Sequence, residues 1–479
     1  MFPRFASRPA LLLLICLLMA AGSSVPAQEQ TDSPTVLTLR DCIHIALEGS
    51  ATLRIRDAEG EIANENVKAA WGALLPDLSV TASYNKSNRT DFDLEQTIYE
   101  DILLPVEQPA GVGVDEIYIP GQVPAGSVTS DVDVESTSKT LSGAANLTVF
   151  NGLANLRGID AAKANREAAK ASRGYSRELV IQNVAMAYYN LLRNVKLREV
   201  AVETRDQAAA ELERTETYFR LGSAAKSEVL QQRVRLEQTK YDLVVADNSV
   251  ERSAADLAYA MNQPLAETVA IDTSPLATEM ALEDVTALYD EALLSRLDLT
   301  GSRLSVKAAR HDASAAGGAL LPRVDVFGRY TRSSDESPYK FGGQTSASWV
   351  YGAQISLDIF NRYQNWTNRS KAKAQARIAE YQLEQAELDA QVEVRQYHNA
   401  MRNALEKHKV SNETIVQAEE ELRLAKERFR VGAGTQLDRI TAEVNLASAR
   451  ADEVQAVCDY LIARVQLYRA VGRLSNLGS

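Results

Sequence analysis

The sequence predicts a mainly α-helical protein with a small β contribution, in which one unit of long coiled-coil helices plus a β-hairpin occurs twice. The distribution of proline is the first observation that indicates this fold class. All 13 prolines lie outside residues 125–263 and 339–479, whereas average usage would place about seven in each of these windows. Because a proline inside a helix costs about 3 kcal/mol, both windows are predicted to hold long, uninterrupted helices.

Similarity between the two halves of the chain is the second observation. The motif Gly-Ala-Leu-Leu-Pro occurs at 72–76 and again at 318–322, and the motif YFRLG at 218–222 is followed by RFRVG at 428–432. The motifs keep the same order in both halves, with 36 extra residues in the first half. Two copies of so long a unit predict one duplicated fold rather than an array of short repeats.

The N-terminus predicts export from the cytoplasm. Residues 1–27 have the basic start, the apolar stretch and the small residues of a secretory signal peptide, so the mature chain is expected to begin at Gln28. The predicted organisation after the signal peptide is a first repeat at 28–262 with its hairpin at 77–151, a linker at 263–280, a second repeat at 281–472 with its hairpin at 323–361, and a tail at 473–479.

In each repeat the sequence predicts three helices. A first helix of about 40 residues (36–74 and 281–320) ends at the proline of the repeated motif. A second helix of about 67 residues follows the hairpin (152–218 and 362–428), and a third returns after a glycine turn (226–262 and 436–472). At 1.5 Å per residue the second helix is about 100 Å long, which is too long to fold around a compact core.

The returning helices carry apolar stripes that are typical of a coiled-coil seam. The stripe of the first repeat recurs every seven residues: Val229, Leu236, Leu243, Val250 and Leu257. That of the second repeat alternates spacings of three and four: Leu437, Ile440, Val444, Ala447, Ala451, Val454, Cys458, Leu461, Val465 and Tyr468. Cys458 is therefore expected to be a small core residue rather than the disulfide partner of Cys42.

Between the helices the hydrophobic period changes from 3.5 to 2, which predicts strands. Apolar and polar residues alternate over four segments of about 8–11 residues, at 78–85, 141–149, 324–330 and 349–359. That length fits tilted membrane strands, although any one segment alone also fits the half-buried edge of a soluble sandwich. Residues 90–138 contain eleven acidic residues, no Lys or Arg, and four prolines. They predict an outward, solvated loop, with weak divalent-cation binding as the alternative.

Composition excludes several classes of function. The chain has 52 Lys plus Arg against 64 Asp plus Glu, a net charge of −12, so no binding to nucleic acid is expected. It contains no Walker loop and no GxSxG, HExxH or CxxC motif. The histidines are scattered and are expected at the surface: His44, His311, His398 and His408. No enzymatic activity, catalytic residue, cofactor or metal site is predicted.

Four strands cannot close a membrane barrel, because the smallest closed barrels have about eight. A chain of this kind that spans a membrane must therefore oligomerise, and three copies would supply twelve strands above twelve helical segments.

The second repeat contains the most specific residues. Its segment Phe429 to Asp438 reads FRVGAGTQLD, and the pattern continues with Ala442-Glu443, Leu446, Ala449 and the segment 469–472. Together with the duplicated Gly-Ala-Leu-Leu-Pro and the Phe-Asn after each hairpin, these residues make nearly all of the mature chain resemble the TolC-like outer-membrane efflux protein family.

The resemblance implies a homotrimer in the outer membrane of a Gram-negative bacterium, with a twelve-stranded barrel above an α-helical periplasmic tunnel. Its implied function is the outer-membrane channel of a tripartite efflux or type I secretion system, a passive exit duct. The implied partners are a periplasmic adaptor protein, an inner-membrane transporter and outer-membrane lipid. The alternative interpretation is a periplasmic coiled-coil adaptor or structural spacer protein, which explains the helices and the signal peptide but not the four strands.

The resemblance also implies site residues at the helix–turn–helix tips. A pore constriction is expected at Asp438, Thr441 and Glu228, because relatives carry a ring of tip carboxylates that favours cations. The tip turns and adaptor contact are expected at Leu221, Gly222, Ser223, Val431, Gly432, Ala433, Gly434 and Thr435. Thr441 stands where some members have a second Asp, and Gly434 replaces a larger, often basic latch residue. From the residues alone, each carboxylate is equally well explained as a charge that caps a helix N-terminus, and Ser227 or Thr435 as a capping hydroxyl.

Overall fold

A computed structural model describes residues 36–105, 118–264, 270–274, 280–334 and 345–474, so the predicted signal peptide and residues 475–479 lie outside the described ranges. Each repeat has the order helix, helix, strand, strand, long helix, returning helix, which confirms the duplicated fold class. The elements are α1 Leu39–Gly49, α2 Ala51–Gly72, β1 Asp77–Pro105, β2 Tyr118–Asn151, α3 Ala154–Arg220, α4 Lys226–Ala260, α5 Val285–Ser295, α6 Leu297–Gly318, β3 Arg323–Ser334, β4 Thr345–Ser356, α7 Gln364–Arg430 and α8 Gln436–Val471.

The first helix of each repeat is interrupted, so the prediction of one helix of about 40 residues is wrong. Ser50 separates α1 from α2, and Arg296, 246 residues later, separates α5 from α6. Both residues have extended backbone, with ψ of 114° and 125°. The Ser50 hydroxyl accepts a hydrogen bond from Leu53 N at 3.3 Å. The Arg296 guanidinium donates to Glu393 at 2.7 Å, so the two breaks are held by different contacts.

The two long helices, α3 and α7, each have 67 residues. Their bounds lie two residues from the predicted ones. Residues of α2 and α6 pack along the first half of α3, and α4 packs along its second half. Two ion pairs show this succession: Arg173 contacts Asp57 of α2, and Arg198 contacts Asp247 of α4. The shorter helices therefore follow one another along the long helix.

The main hydrophobic core lies around the middle of α3 and collects side chains from both repeats. Its largest fully buried members include Ile43, Ile181, Tyr188, Leu192, Leu257, Leu288 and Leu461. Cys42 and Cys458 are both buried and free, as expected for core residues. Burial raises the pKa of each thiol to about 11, so both stay protonated at neutral pH.

The predicted seam of α8 is confirmed only in its C-terminal half. Cys458, Leu461 and Val465 are buried there, whereas Leu437 and Val444, near the N-terminus of α8, are exposed. In the N-terminal half of α8 the buried residues are Gln436, Arg439, Ala442, Leu446 and Ala449. The difference arises because α8 packs against α3 of the first repeat as well as against α7, and a second neighbour changes which face is covered.

The four strands form one antiparallel sheet in the order β1-β2-β3-β4. Each hairpin begins just after a helix and ends just before one, so all helix connections lie at the same end of the sheet. The predicted alternation is confirmed by the register, since Val80 pairs with Gly143, and Tyr330 pairs with both Gly143 and Trp349. One face is therefore apolar and the opposite face polar.

The prediction of a loop over 90–138 is wrong for most of its backbone. β1 and β2 are 29 and 34 residues long and stay paired from Asp77 with Asn146 to Pro105 with Tyr118. Pairing with β3 ends at Lys139. Beyond that rung the described chain is a two-stranded ribbon in which both strands are edge strands. Prolines are tolerated at edges because their missing N–H can face away from the partner, which explains Pro120 and Pro124 in β2.

The histidines provide a further correction. His398, expected at the surface, is buried, and its Nε2 lies 3.0 Å from the carbonyl oxygen of Glu283. The short connection that precedes α5 covers this part of α7, so a polar contact in the core replaces the contact with solvent. Among the helices that the structure describes, none combines the length and the apolar character needed to cross a membrane.

Candidate functional site: the helix–turn–helix tips

The first tip joins α3 to α4 through residues 221–225. Gly222 has a φ of +78°, a left-handed conformation that glycine adopts without steric cost. The backbone N–H of Ser223 donates to the carbonyl of Tyr218 at 2.9 Å, and that of Gly222 donates to Phe219 at 3.0 Å. These bonds satisfy the last carbonyls of α3, and Leu221 is left exposed at the end of the hairpin.

The second tip repeats this turn at residues 431–435. Gly432 has a φ of +74°, and the N–H of Ala433 donates to the carbonyl of Arg428 at 2.9 Å. Val431 is exposed like its counterpart Leu221. A Cβ on Gly434 would lie 3.0 Å from the Cβ of Arg428. The turn therefore leaves little space for the larger residue that the family resemblance implies at this position.

Asp438 and Thr435 form a reciprocal capping box at the start of α8. Thr435 donates to the Oδ2 atom of Asp438 from its backbone N and from its hydroxyl, both at 2.8 Å, and the Asp438 N–H donates back to Thr435 Oγ1 at 3.1 Å. These hydrogen bonds lower the pKa of the Asp438 carboxyl. Asp438 thus caps the helix, and its contribution to a pore stays a prediction.

The other two predicted constriction residues have fewer contacts. The Thr441 hydroxyl donates to the carbonyl of Leu437 at 2.9 Å, within its own helix. Glu228 lies in the first turn of α4, whose N-cap residue is Ala225. The prediction that Ser227 caps this helix is wrong, because the helix begins at Lys226 and Ser227 lies inside it. The first tip therefore lacks the side-chain cap of the second.

A buried ion pair joins the two hairpins above the tips, and sequence reasoning did not identify it. Arg439 of α8 is 3% exposed, and its Nη2 lies 2.6 Å from the Oε2 atom of Glu211 on α3. Its Nε lies 3.9 Å from Glu443, and its guanidinium lies over the ring of Phe429, 4.9 Å from the centroid. The angles at Nη2 are not those of a hydrogen bond, so the attraction is electrostatic.

Two buried carboxylates share this arginine, which affects their protonation. Burial raises the pKa of Glu443, Arg439 opposes the shift, and the nearby Glu211 adds to it. An arginine at a position covered by a neighbouring helix is a poor match to a hydrophobic pattern. One feature of the sequence could have indicated that Arg439 is buried. The buried residues keep the three–four spacing of a covered helix face: Gln436, Arg439, Ala442, Leu446 and Ala449.

A second charged cluster surrounds Arg296 at the helix break of the second repeat. Arg296 donates to Asp298 at 2.8 Å and to the carbonyl of Ala470 at 3.1 Å. Arg469 forms an ion pair with Glu393, which also accepts from Arg296. Glu178 of α3 is buried beside the cluster, and burial raises the pKa of its carboxyl to about 7.

Nothing in the described part of the chain resembles a metal centre, since no group of three or more His, Cys, Asp or Glu side chains there is placed to hold an ion. The tips offer exposed apolar residues, one helix-capping carboxylate and, just above them, a buried ion pair. This arrangement is suited to contacts between helices.

Comparison with known proteins agrees with this geometry. Residues 42–263 and 288–473 match the model of the family "Outer membrane efflux protein". The chain is 25% identical to outer membrane protein TolC of Vibrio cholerae over 442 residues, or 91% of each chain. It is 23% identical to the proteases secretion protein PrtF of Dickeya chrysanthemi over 266 residues, 53% of this chain and 56% of that protein.

A solved structure has the same fold. The outer membrane protein VceC of Vibrio cholerae superposes with a TM-score of 0.69 at 18% identity, covering 91% of this chain and 96% of that one. Since the matched family segments include both hairpins, all of α3, α4 and α7, and α8 to its C-terminus, the chain belongs to the outer membrane efflux protein family.

Proposed function

We propose that three copies of this chain form a passive exit duct through the outer membrane, which accepts cargo from an inner-membrane transporter by way of a periplasmic adaptor. Family membership supports an outer-membrane channel of efflux or secretion systems. We further propose that the channel is a trimer, that it contacts lipid and that it has no enzymatic activity. The observation that carries the proposal is an interface between the two repeats that is formed only once among the residues that the structure describes.

The two repeats contact each other through α3 with α6 and through β2 with β3. The equivalent contact would join α7 and β4 to the α2 and β1 of a following repeat. Within the described residues β1 and β4 are the edges of the sheet, and α7 makes no comparable contact with α2. A neighbouring copy supplies the missing repeat, and a head-to-tail contact of this kind generates a ring when its rotation closes.

Both helix surfaces that would form this contact, on α2 and on α7, have exposed apolar side chains in the single chain. They include Ile55 and Ile62 on α2, and Tyr381 and Leu388 on α7. The edge strands carry unpaired backbone groups, which favour pairing with another strand. Three copies contribute six repeats, so the ring has twelve strands above a tube of long helices.

The apolar face of the sheet supports its position in the membrane. Val80, Trp349 and Tyr351 are 80%, 75% and 84% exposed in the single chain. None of the described helices has a main contact with this face. Because exposed apolar surface in water is unfavourable by roughly 25 cal/mol per Å², lipid is the natural cover. The opposite, polar face then lines the duct.

The tips are proposed as the site of closure and of adaptor docking. Leu221 and Val431 are exposed at equivalent positions of the two turns, and a trimer presents six such apolar residues in one ring. Asp438 and Glu228 follow these turns and would face each other across the narrowed end. Since the chain has no nucleotide-binding loop, energy for transport has to come from the inner-membrane partner.

The number of chains per particle tests the proposal. The mature protein is extracted from the outer-membrane fraction in mild detergent, and its mass, corrected for detergent, is measured by light scattering. About three chains per particle are expected. A monomer, or recovery in the soluble periplasmic fraction, would contradict the ring and favour the coiled-coil adaptor interpretation, since an adaptor needs no closed sheet.

A further inference from the structure

Among the described side chains of the sheet, three basic residues lie on the apolar face, all at the end remote from the helices. Residues that oppose each other in a strand pair point to the same face. Lys139 opposes Tyr84, Arg332 opposes Leu141, and Lys86 lies two residues beyond Tyr84 on β1. We name Lys86, Lys139 and Arg332 the basic rim.

Charge is distributed unevenly along this face. Between the basic rim and the helix-connected end, the described strand residues of the apolar face include no Asp, Glu, Lys or Arg. From Leu78 to Lys86 the strand covers about 26 Å at 3.3 Å per residue, which is close to the apolar band of about 25 Å on outer-membrane barrels. The cations therefore lie where such a band ends.

Aromatic side chains lie beside the basic rim and just beneath it, on the side of the helices. The Nζ atom of Lys139 is 5.8 Å from the ring centroid of Tyr84, and the rings of Tyr330 and Trp349 have centroids 4.6 Å apart. Tyr and Trp at such a level typically mark the boundary between lipid tails and head groups. The long side chains of Lys and Arg can extend from this boundary toward the head groups.

We propose that the basic rim binds phosphorylated lipid head groups of the outer leaflet, an inference that rests on the proposed membrane position of the sheet. The helix-connected end faces the periplasm, so the opposite end reaches the outer leaflet. Basic side chains at a membrane surface attract anionic head groups, each by roughly fivefold in affinity, and arginine can bind phosphate with two parallel hydrogen bonds. A trimer presents nine such cations in one ring.

Lipid binding to the trimer tests this inference. The wild-type trimer in a neutral detergent is titrated with bisphosphorylated lipid A, with phosphatidylcholine and with inorganic phosphate, and bound lipid is counted by native mass spectrometry. We expect the trimer to retain lipid A, phosphatidylcholine to bind weakly, and millimolar phosphate not to displace lipid A. The variant K86Q/K139Q/R332Q is expected to bind lipid A at least tenfold more weakly.

Two further variants serve as controls for the position and for the charge of the basic residues. R329Q removes an arginine from the opposite face of β3 and is expected to bind lipid A like the wild type; K86R/K139R keeps the charges and is expected to do the same. Equal binding by the triple variant, equal loss in R329Q, or displacement by phosphate would overturn the basic rim. The number of subunits per particle is measured for every sample. A wild type that is not a trimer would therefore count against the proposed function and not against lipid binding by the basic rim. If only the triple variant fails to assemble, single substitutions at the three positions replace it.

Discussion

Arg439 of the second repeat and Glu211 of the first form an ion pair, 2.6 Å between Nη2 and Oε2, that is almost completely shielded from solvent. The two residues are 228 positions apart in the sequence. They join a returning helix to a long helix near the end that is proposed to open and close. The pair therefore connects the stability of the two hairpins with the state of the tip.

Removing one partner of this pair is expected to destabilise the protein more than removing both. Arg439→Met leaves Glu211 and Glu443 buried without their counter-charge, a defect that typically costs about 3–5 kcal/mol. The double variant R439M/E211M removes one of the two isolated charges and should recover part of the loss, while Glu443 stays without its counter-charge. The midpoint of thermal unfolding of the purified protein, measured for both single variants and the double variant, checks this.

The control for these three variants is the exposed ion pair of Arg430 and Glu427, in which Nε and Oε2 are 2.9 Å apart. Arg430→Met should change stability by less than about 0.5 kcal/mol, because solvent screens exposed pairs. Additive effects of R439M and E211M, with no recovery in the double variant, would show that the buried pair does not act as a unit.

Substitutions at the second tip should separate helix capping from pore charge. Thr435→Ala removes the capping hydroxyl and keeps the carboxylate of Asp438, so it should lower stability by about 1 kcal/mol and leave ion selectivity unchanged. Asp438→Asn keeps an acceptor for Thr435 and removes the charge, so it should reduce cation selectivity. Thermal unfolding and reversal potentials in planar bilayers are the two measurements. Unchanged selectivity in D438N would contradict a pore role for this carboxylate.

The buried Glu178 should make stability depend on pH. Its pKa is raised from 4.5 to about 7 in the folded protein, so the folded state favours the protonated form. The contribution of Glu178 to stability is therefore highest below pH 4.5 and is lost as the pH rises through 7. Glu178→Gln, which resembles the protonated form, should stabilise the protein by about 2–3 kcal/mol at pH 8.5 and by much less at pH 4.5.

Unfolding midpoints at the two pH values check this dependence. The matched control is Glu199→Gln, whose carboxylate is exposed on the same helix. An equal gain for E178Q at both pH values would mean that its effect does not come from titration of the carboxyl.

Gly72 is predicted to lie at the contact between subunits. Its counterpart Gly318 packs within the chain against Gly152, so closely that a Cβ would overlap backbone atoms, whereas a Cβ at Gly72 meets nothing within 4 Å. If a neighbouring copy provides the equivalent contact, Gly72→Leu should fold but fail to form trimers. Gly143→Leu is the control, because Gly143 lies on the apolar face with open space around it. Light scattering that showed normal trimers for G72L would place the subunit contact elsewhere.

Much of the fold follows from local features of the sequence. Proline-free windows predict α3 and α7, and their bounds in the structure differ by two residues. The alternation at 324–330 and 349–359 predicts strands and assigns their faces correctly. Repeated motifs predict that the second half of the chain follows the first, and the tip turns at Gly222 and Gly432 lie where the repeated glycines predict them. These features succeed because period, proline and glycine act on the backbone within a few residues.

The incorrect predictions concern positions where distant parts of the chain meet. Leu437 belongs to the apolar stripe of α8 but is exposed, and Arg439 is buried, because α3 of the other repeat covers that face. At the helix break, the guanidinium of Arg296 donates to Glu393 and to the carbonyl of Ala470, from α7 and α8, and neither contact is visible in the local sequence. The acidic, proline-containing segment after residue 90 pairs as a ribbon, because each of its strands has the other as a partner.

The sequence by itself determined the long helices, the strands next to the helices, their order and their duplication, since these depend on short-range backbone preferences. Only the tertiary structure decided which helix faces are covered, which charges are paired and which edges stay open. Those properties depend on neighbours that are distant in the sequence, and no local pattern specifies the neighbour. The open edges of β1 and β4 and the buried pair of Arg439 and Glu211 are both of this second kind.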